Sequence, residues 1–182
     1  MNELRKPGII IGLFTGGLTI ITYLITYIVG KQAYFGAGVN IVTWVIYLLG
    51  MWKASVDSRE VYKKVVDISQ EGYSFSQALQ GPFLVFLIAQ FMYYIYYWML
   101  FNWIDPEMVD LSRAYALENI PKYYGSFMNE EQLETIMEQL EQRGFDVTIS
   151  GAFFGFAQSL IGGFLIAAIY ALFFKKSRNK YA

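Results

Sequence analysis

The chain has no cysteine and no histidine. Without cysteine it makes no disulfide, no thiol redox couple and no thiolate metal site; without histidine it lacks the commonest base at neutral pH. Zinc sites of the Cys/His type, and haem ligated by either residue, are excluded with them. Charge is also scarce, at 16% of residues against about 25% in an ordinary soluble domain. The net charge of −1 gives no field that would gather nucleic acid. No phosphate-binding loop, nucleophile elbow or metalloprotease helix occurs, so no catalytic, metal or cofactor residues are expected. The reading is of a non-enzymatic protein.

What is abundant is apolar sequence: 55% of residues are hydrophobic and 19% aromatic. Four runs contain no charged side chain at all: Gly8–Val29, Tyr34–Trp52, Pro82–Ile104 and Ser150–Phe174. A helix needs about 20 apolar residues to cross a bilayer, and each run has about that length. Inside lipid every backbone polar group must be paired within the protein. A barrel strand would alternate apolar and polar residues, and Ile9-Ile10-Ile11 does not. The expected fold is an all-α integral membrane protein of four transmembrane helices, forming one domain over residues 1–182.

Basic residues set its orientation. The N-terminus, the connector 53–81 and the tail hold ten lysines and arginines, and the other two gaps hold four. Basic segments stay cytoplasmic, so both termini are expected inside and residues 105–149 outside. The first gap, Gly30–Ala33, is too short for anything but a hairpin turn. The connector reads as a short amphipathic helix over Ala54–Gln70, followed by a turn at Gly72 and a serine N-cap. Pro82 is expected to begin or kink the third span.

The segment 105–149 is acidic, with ten carboxylates against three basic residues. Asp105-Pro106-Glu107 reads as a helix start, with an aspartate cap and proline in the first turn. Residues Asn119–Gly125 are expected to break that helix. Asn129 and Gln132 form a capping box for a second one, whose apolar stripe is Leu133, Ile136, Met137 and Leu140. Two amphipathic helices are expected over the outer mouth of the bundle, their acids facing solvent rather than a metal.

Small residues recur at helical spacing: Gly8, Gly12 and Gly16 in the first run; Gly151, Gly155, Ser159, Gly163, Ala167 and Ala171 in the fourth. Lipid gives apolar helices no hydrophobic reason to associate, so close backbone packing must do it. These stripes predict that the first and fourth helices meet, with a homo-oligomer through the fourth as the competing arrangement. Thr15, Thr19, Thr22 and Thr26 form a second stripe, read as hydroxyls bonding back to their own helix. Gln90 and Gln158 stand at similar depth and are expected to hydrogen-bond across the bundle. The third run is rich in aromatics, read mainly as core filling and an interfacial belt.

The order of elements carries a resemblance. A glycine-rich first span, a tight hairpin, a connector ending in Gly72-Tyr73-Ser74-Phe75-Ser76-Gln77-Ala78-Leu79, a third span ending in Phe101-Asn102-Trp103-Ile104-Asp105-Pro106-Glu107, and Met128-Asn129-Glu130-Glu131-Gln132 before a glycine-rich last span follow one another. This resembles a bacterial four-helix inner-membrane family catalogued as a domain of unknown function (number 4199). The resemblance implies an inner-membrane location and a periplasmic cap, and brings no activity with it. The function expected is that of a structural or accessory subunit, meeting a partner membrane protein through its packing faces or acidic cap. The alternative is a passive carrier or lipid-handling protein, for which a cavity reaching Gln90 and Tyr94 would be the sign.

Overall fold

The structure, a computed structural model, describes residues 2–65, 72–125, 127–143 and 147–176. Among the described residues six α-helices follow one another: α1 Asn2–Val29, α2 Ala37–Val65, α3 Phe75–Met99, α4 Met108–Tyr124, α5 Glu130–Arg143 and α6 Ile149–Phe174. A 3-10 turn at Lys31–Phe35 joins α1 to α2, and a π-helical turn at Leu100–Ile104 extends α3. Helices α1, α2, α3 with its extension, and α6 are each long and apolar enough to cross a membrane.

The helices overrun the charge-free runs. The connector helix expected as a separate piece is the continuation of α2, unbroken to Val65, and positions 66–70 of that expectation lie outside the described residues. Nothing between Lys53 and Val65 breaks a helix, and Lys53 and Lys63 are held by Asp57 and Glu60 one turn away. Likewise α3 begins at Phe75, seven residues before Pro82. Gly72 turns the chain with φ 76°, a conformation open to glycine. Ser74 and Gln77 then exchange side-chain and backbone bonds as a complete capping box. Pro82 is buried inside the helix.

Helix α3 is the centre of the bundle. Helices α1, α2 and α6 all pack on it, and α1 and α2 pack on each other. The expected meeting of α1 with α6 is corrected: the two lie on different sides of α3. A Cβ on Gly8 would stand 2.8 Å from the Gly81 carbonyl oxygen, and one on Gly12 would stand 3.2 Å from the Val85 Cα. One on Gly16 would stand 3.1 Å from the Ala89 Cα. Gly81, Val85 and Ala89 are the matching face of α3, four residues apart. That face was hidden because Gly81 precedes the charge-free run and Val85 is not small.

On the other side of α3, glycines receive rings. The Phe86 ring lies against Gly163 and the Tyr94 ring against Gly155, while Ala167 and Ala171 are fully buried. Gly151 meets only its own Thr148, and the Ser159 hydroxyl bonds back to the Phe156 carbonyl at 2.7 Å. Tyr170 adds a hydroxyl bond to the Leu48 carbonyl of α2 at 3.0 Å. At the end bearing both termini, Tyr73 and Lys176 exchange two backbone bonds of 2.8 Å, clipping the end of α6 to the turn before α3.

Three of the four threonines in the stripe behave as read. Thr19, Thr22 and Thr26 donate to the carbonyls of Thr15, Leu18 and Tyr23. Helix α4 runs through Asn119 and Pro121 to Tyr124, where a break was expected. The Asn119 amide donates to the Tyr115 carbonyl inside the helix, and proline costs only one amide bond in a last turn. One helix, not two, seats on the end of the bundle. Helix α4 rests on the 3-10 turn, with Phe35 and Tyr115 ring centroids 5.6 Å apart. Helix α5, capped by Asn129 and Gln132 as expected, packs on α4. Its Leu133, Ile136 and Met137 stay half-buried, and nothing is described of the Leu140 side chain.

Candidate functional site

Two cavities flank α3 where its tyrosines crowd. The first lies among α1, α2 and α3. It has a volume of about 200 Å3 and is walled by Tyr23, Asn40, Thr43, Trp44, Tyr47, Gln90, Tyr93 and Tyr94. Helix α2 contributes Asn40, Thr43 and Tyr47 at spacings of three and four, so one face of the helix presents all three. Helix α3 contributes Gln90, Tyr93 and Tyr94 by the same geometry. Tyr23 comes from α1, its ring centroid 4.8 Å from that of Tyr93.

The polar groups of this chamber divide into spent and unspent. The Tyr23 hydroxyl donates to Asn40 Oδ1 at 3.1 Å. Asn40 Nδ2 reaches the Gly36 carbonyl at 3.3 Å, and the Thr43 hydroxyl donates to the Val39 carbonyl at 2.8 Å. The Tyr47 hydroxyl is buried near the Thr19 side chain and makes no hydrogen bond of good geometry. A buried hydroxyl left unpaired costs free energy that a ligand group could recover.

The second cavity is a cleft of about 280 Å3 between α3 and the start of α6. Phe91, Tyr94, Ile95 and Trp98 form one wall; Ile149, Ala152, Phe153 and Phe156 form the other. Its lining is almost wholly apolar. Gly155 belongs to this arrangement, because the absence of its side chain makes room for the Tyr94 ring. Tyr94 is common to the two cavities.

Gln90 and Gln158 are not brought together, contrary to expectation. Gln90 turns to the chamber, while Gln158 lies on the exposed side of α6. Equal depth was the basis for pairing them; the rotation of each helix, set by the Phe86–Gly163 contact, decides otherwise.

Asp105 and Pro106 stand at the helix start as expected, their carbonyls accepting from the Met108 and Val109 amides at 3.1 Å, but the aspartate side chain is not its cap. Helix α4 starts at Met108, and no side chain caps it. The π turn bonds the Asp105 amide to the Leu100 carbonyl at 2.8 Å. The Asp105 carboxylate meets the first hairpin instead: Tyr27 donates to Oδ2 at 2.8 Å, and Lys31 Nζ stands 2.5 Å from the same atom. Lys31 also reaches Glu107 at 3.3 Å. The Lys31 ammonium, bonded to the carboxylate, holds Asp105 below the usual aspartate range; burial opposes it and the Tyr27 hydroxyl assists. The same contact raises the Lys31 ammonium. This latch joins the α1–α2 hairpin to the entry of α4.

Tyr47, Thr43 and Lys31 were not singled out by sequence. The signal was there for the first two, because with Asn40 they are a polar stripe at helical spacing in an otherwise apolar run. Lys31 gave none, since its partner lies 74 positions along the chain.

A model of the family described as "Protein of unknown function (DUF4199)" matches residues 8–176. No curated protein matches the chain, and no solved structure does.

Proposed function

We propose, for a chain that belongs to the DUF4199 family of proteins of unknown function, that it holds a hydrophobic amphiphile within the bilayer as a non-enzymatic carrier or lipid-handling protein. One observation carries this reading: an apolar cleft and a polar chamber lie side by side on α3, sharing Tyr94. An amphiphile has the same two parts. Pockets for such molecules are mostly apolar with a few placed polar groups. The charge pattern supports a cytoplasmic location for both termini, with α4 and α5 on the opposite side of the membrane.

The test is extraction. Chain purified in mild detergent is expected to retain one amphiphile at close to one per chain, read by mass spectrometry of the solvent extract. Ala152→Phe, which fills the cleft, is expected to remove it. Retention no better than that of bulk lipid, in both proteins, would overturn the reading.

A second reading, an accessory subunit that binds a partner membrane helix or a second copy, is favoured by Gln158. Its amide lies on the exposed side of α6, and a Cβ on neighbouring Gly162 would meet nothing from another helix within 4 Å. An amide facing lipid is stabilised by ~1 kcal/mol when it bonds to another helix. Gly162→Cys, in a chain otherwise free of cysteine, is expected to cross-link in native membranes. Adding Gln158→Leu is expected to cut the yield about fivefold. No cross-link, or one indifferent to Gln158, would remove this reading.

A further inference from the structure

We propose that the chamber among α1, α2 and α3 receives the uncharged, dicarbonyl ring of a quinone-type amphiphile whose hydrocarbon tail lies in the α3–α6 cleft. The inference rests on the amphiphile reading above and adds the identity of the head.

Charge is the first argument. No lysine, arginine, aspartate or glutamate lines the chamber, and none occurs in the four charge-free runs. The Lys31 ammonium is engaged by Asp105 and Glu107. A phosphate head in the chamber would be a buried anion with no cation beside it, which is prohibitively costly. A neutral head has no such penalty.

Size and shape come next. Pockets for drug-sized ligands run from about 300 to 1,000 Å3. Neither cavity, at about 200 and 280 Å3, reaches that range alone, and the two together do. The chamber therefore suits a compact head and the cleft a chain. Five of the chamber's eight wall residues carry aromatic rings. Such walls favour a flat ring, which can stack or meet them edge-on.

Hydrogen bonding narrows the choice of head further. Tyr23, Asn40 and Thr43 already donate within the protein. The Trp44 indole and the Tyr93 and Tyr94 hydroxyls line the chamber as well; the two groups assigned to the head are the Tyr47 hydroxyl, buried without a well-formed hydrogen bond, and the Gln90 carboxamide. They come from different helices and line the same space. Both can donate, so they suit a head with two separate acceptors. A ring bearing two carbonyls fits that description; a simple alcohol or hydrocarbon end does not. Tyr94, on both linings, marks where ring and tail would join.

The experiment uses the full chain in phosphatidylcholine nanodiscs, titrated with decylubiquinone and followed by quenching of tryptophan fluorescence, Trp44 being in the chamber wall. Saturable quenching is expected. Tyr47→Phe and Gln90→Leu, which keep side-chain shape, are each expected to weaken it about five- to tenfold. 1-Decanol, which has a ten-carbon chain and no ring, should compete poorly and be indifferent to both substitutions. If decanol or phosphatidylglycerol competes as well as the quinone, or if neither substitution changes the quinone's affinity, the ring assignment falls while the cleft reading stands. If nothing saturates and Ala152→Phe changes nothing, both fall. The comparison of quinone with decanol in the unmutated chain decides even if a variant folds poorly.

Discussion

Gly163→Leu is expected to cost the bundle about 3 kcal/mol and to leave little folded protein in the membrane. A Cβ at this position would collide with the Phe86 ring, which is buried and presses directly on the α6 backbone. The ring is already flanked on α2: the Tyr47 ring lies 5.3 Å from it and the Trp44 ring 6.3 Å, centroid to centroid. Overpacking a filled core costs about 1–3 kcal/mol, and leucine adds four carbons where even one does not fit. Gly162→Leu, one residue away on open surface, should leave folding within about 0.5 kcal/mol of wild type. Unfolding in mixed micelles, monitored by circular dichroism, compares the two. Equal loss in both would mean that helix propensity or lipid contact matters here, and not the ring.

The second large effect is expected at Asp105. Asp105→Ala should loosen the α4 end of the molecule by about 2 kcal/mol, because a carboxylate that accepts from both Tyr27 and Lys31 is removed. The pH dependence has a definite sign. Asp105 titrates below its unfolded value, so its contribution is fully present above about pH 4 and lost as pH falls through the lower folded value. Lys31 titrates above its unfolded value, so its contribution is present below about pH 10 and lost above the raised folded value. Between those limits the latch should be insensitive to pH. Amide hydrogen exchange in residues 31–35 and 108–112, compared for wild type and Asp105→Ala from pH 5 to 8, would show it. Protection that changes across that interval in the wild type, or that survives the substitution, would count against the latch.

How far sequence went can be traced residue by residue. The four spans were legible because transfer from water to lipid depends on composition alone. Ser74, Asn129 and Gln132 were legible because capping is local, with every partner within three residues. What failed was rotation. Gly8, Gly12 and Gly16 were recognised as a packing face, yet the helix they face could not be named from their spacing. Depth suggested that Gln90 and Gln158 meet; the angle about each helix axis, set by Phe86 against Gly163, turns them apart. Asp105 is the same failure in another form. Its local context offered a cap, and a lysine 74 positions earlier outbid it. The chamber was half legible: Gln90 and Tyr94 were in view, and Tyr47 was not, because an unpaired hydroxyl is a property of what surrounds it.

The central place of α3 has a consequence for how the molecule is made. A nascent chain delivers its helices to the membrane in order, and α1, α2 and α3 all contact one another. Every residue of the polar chamber belongs to those three. The three helices that wall the chamber can therefore meet while the ribosome is still translating the remainder. The apolar cleft cannot form then, since half of its wall is the first turns of α6. The backbone clip between Tyr73 and Lys176 likewise waits for α6. Biogenesis thus separates in time what the finished structure places side by side: the helices of the polar wall come first, and the cleft, with the contacts that fix the angle of α3, comes when α6 arrives.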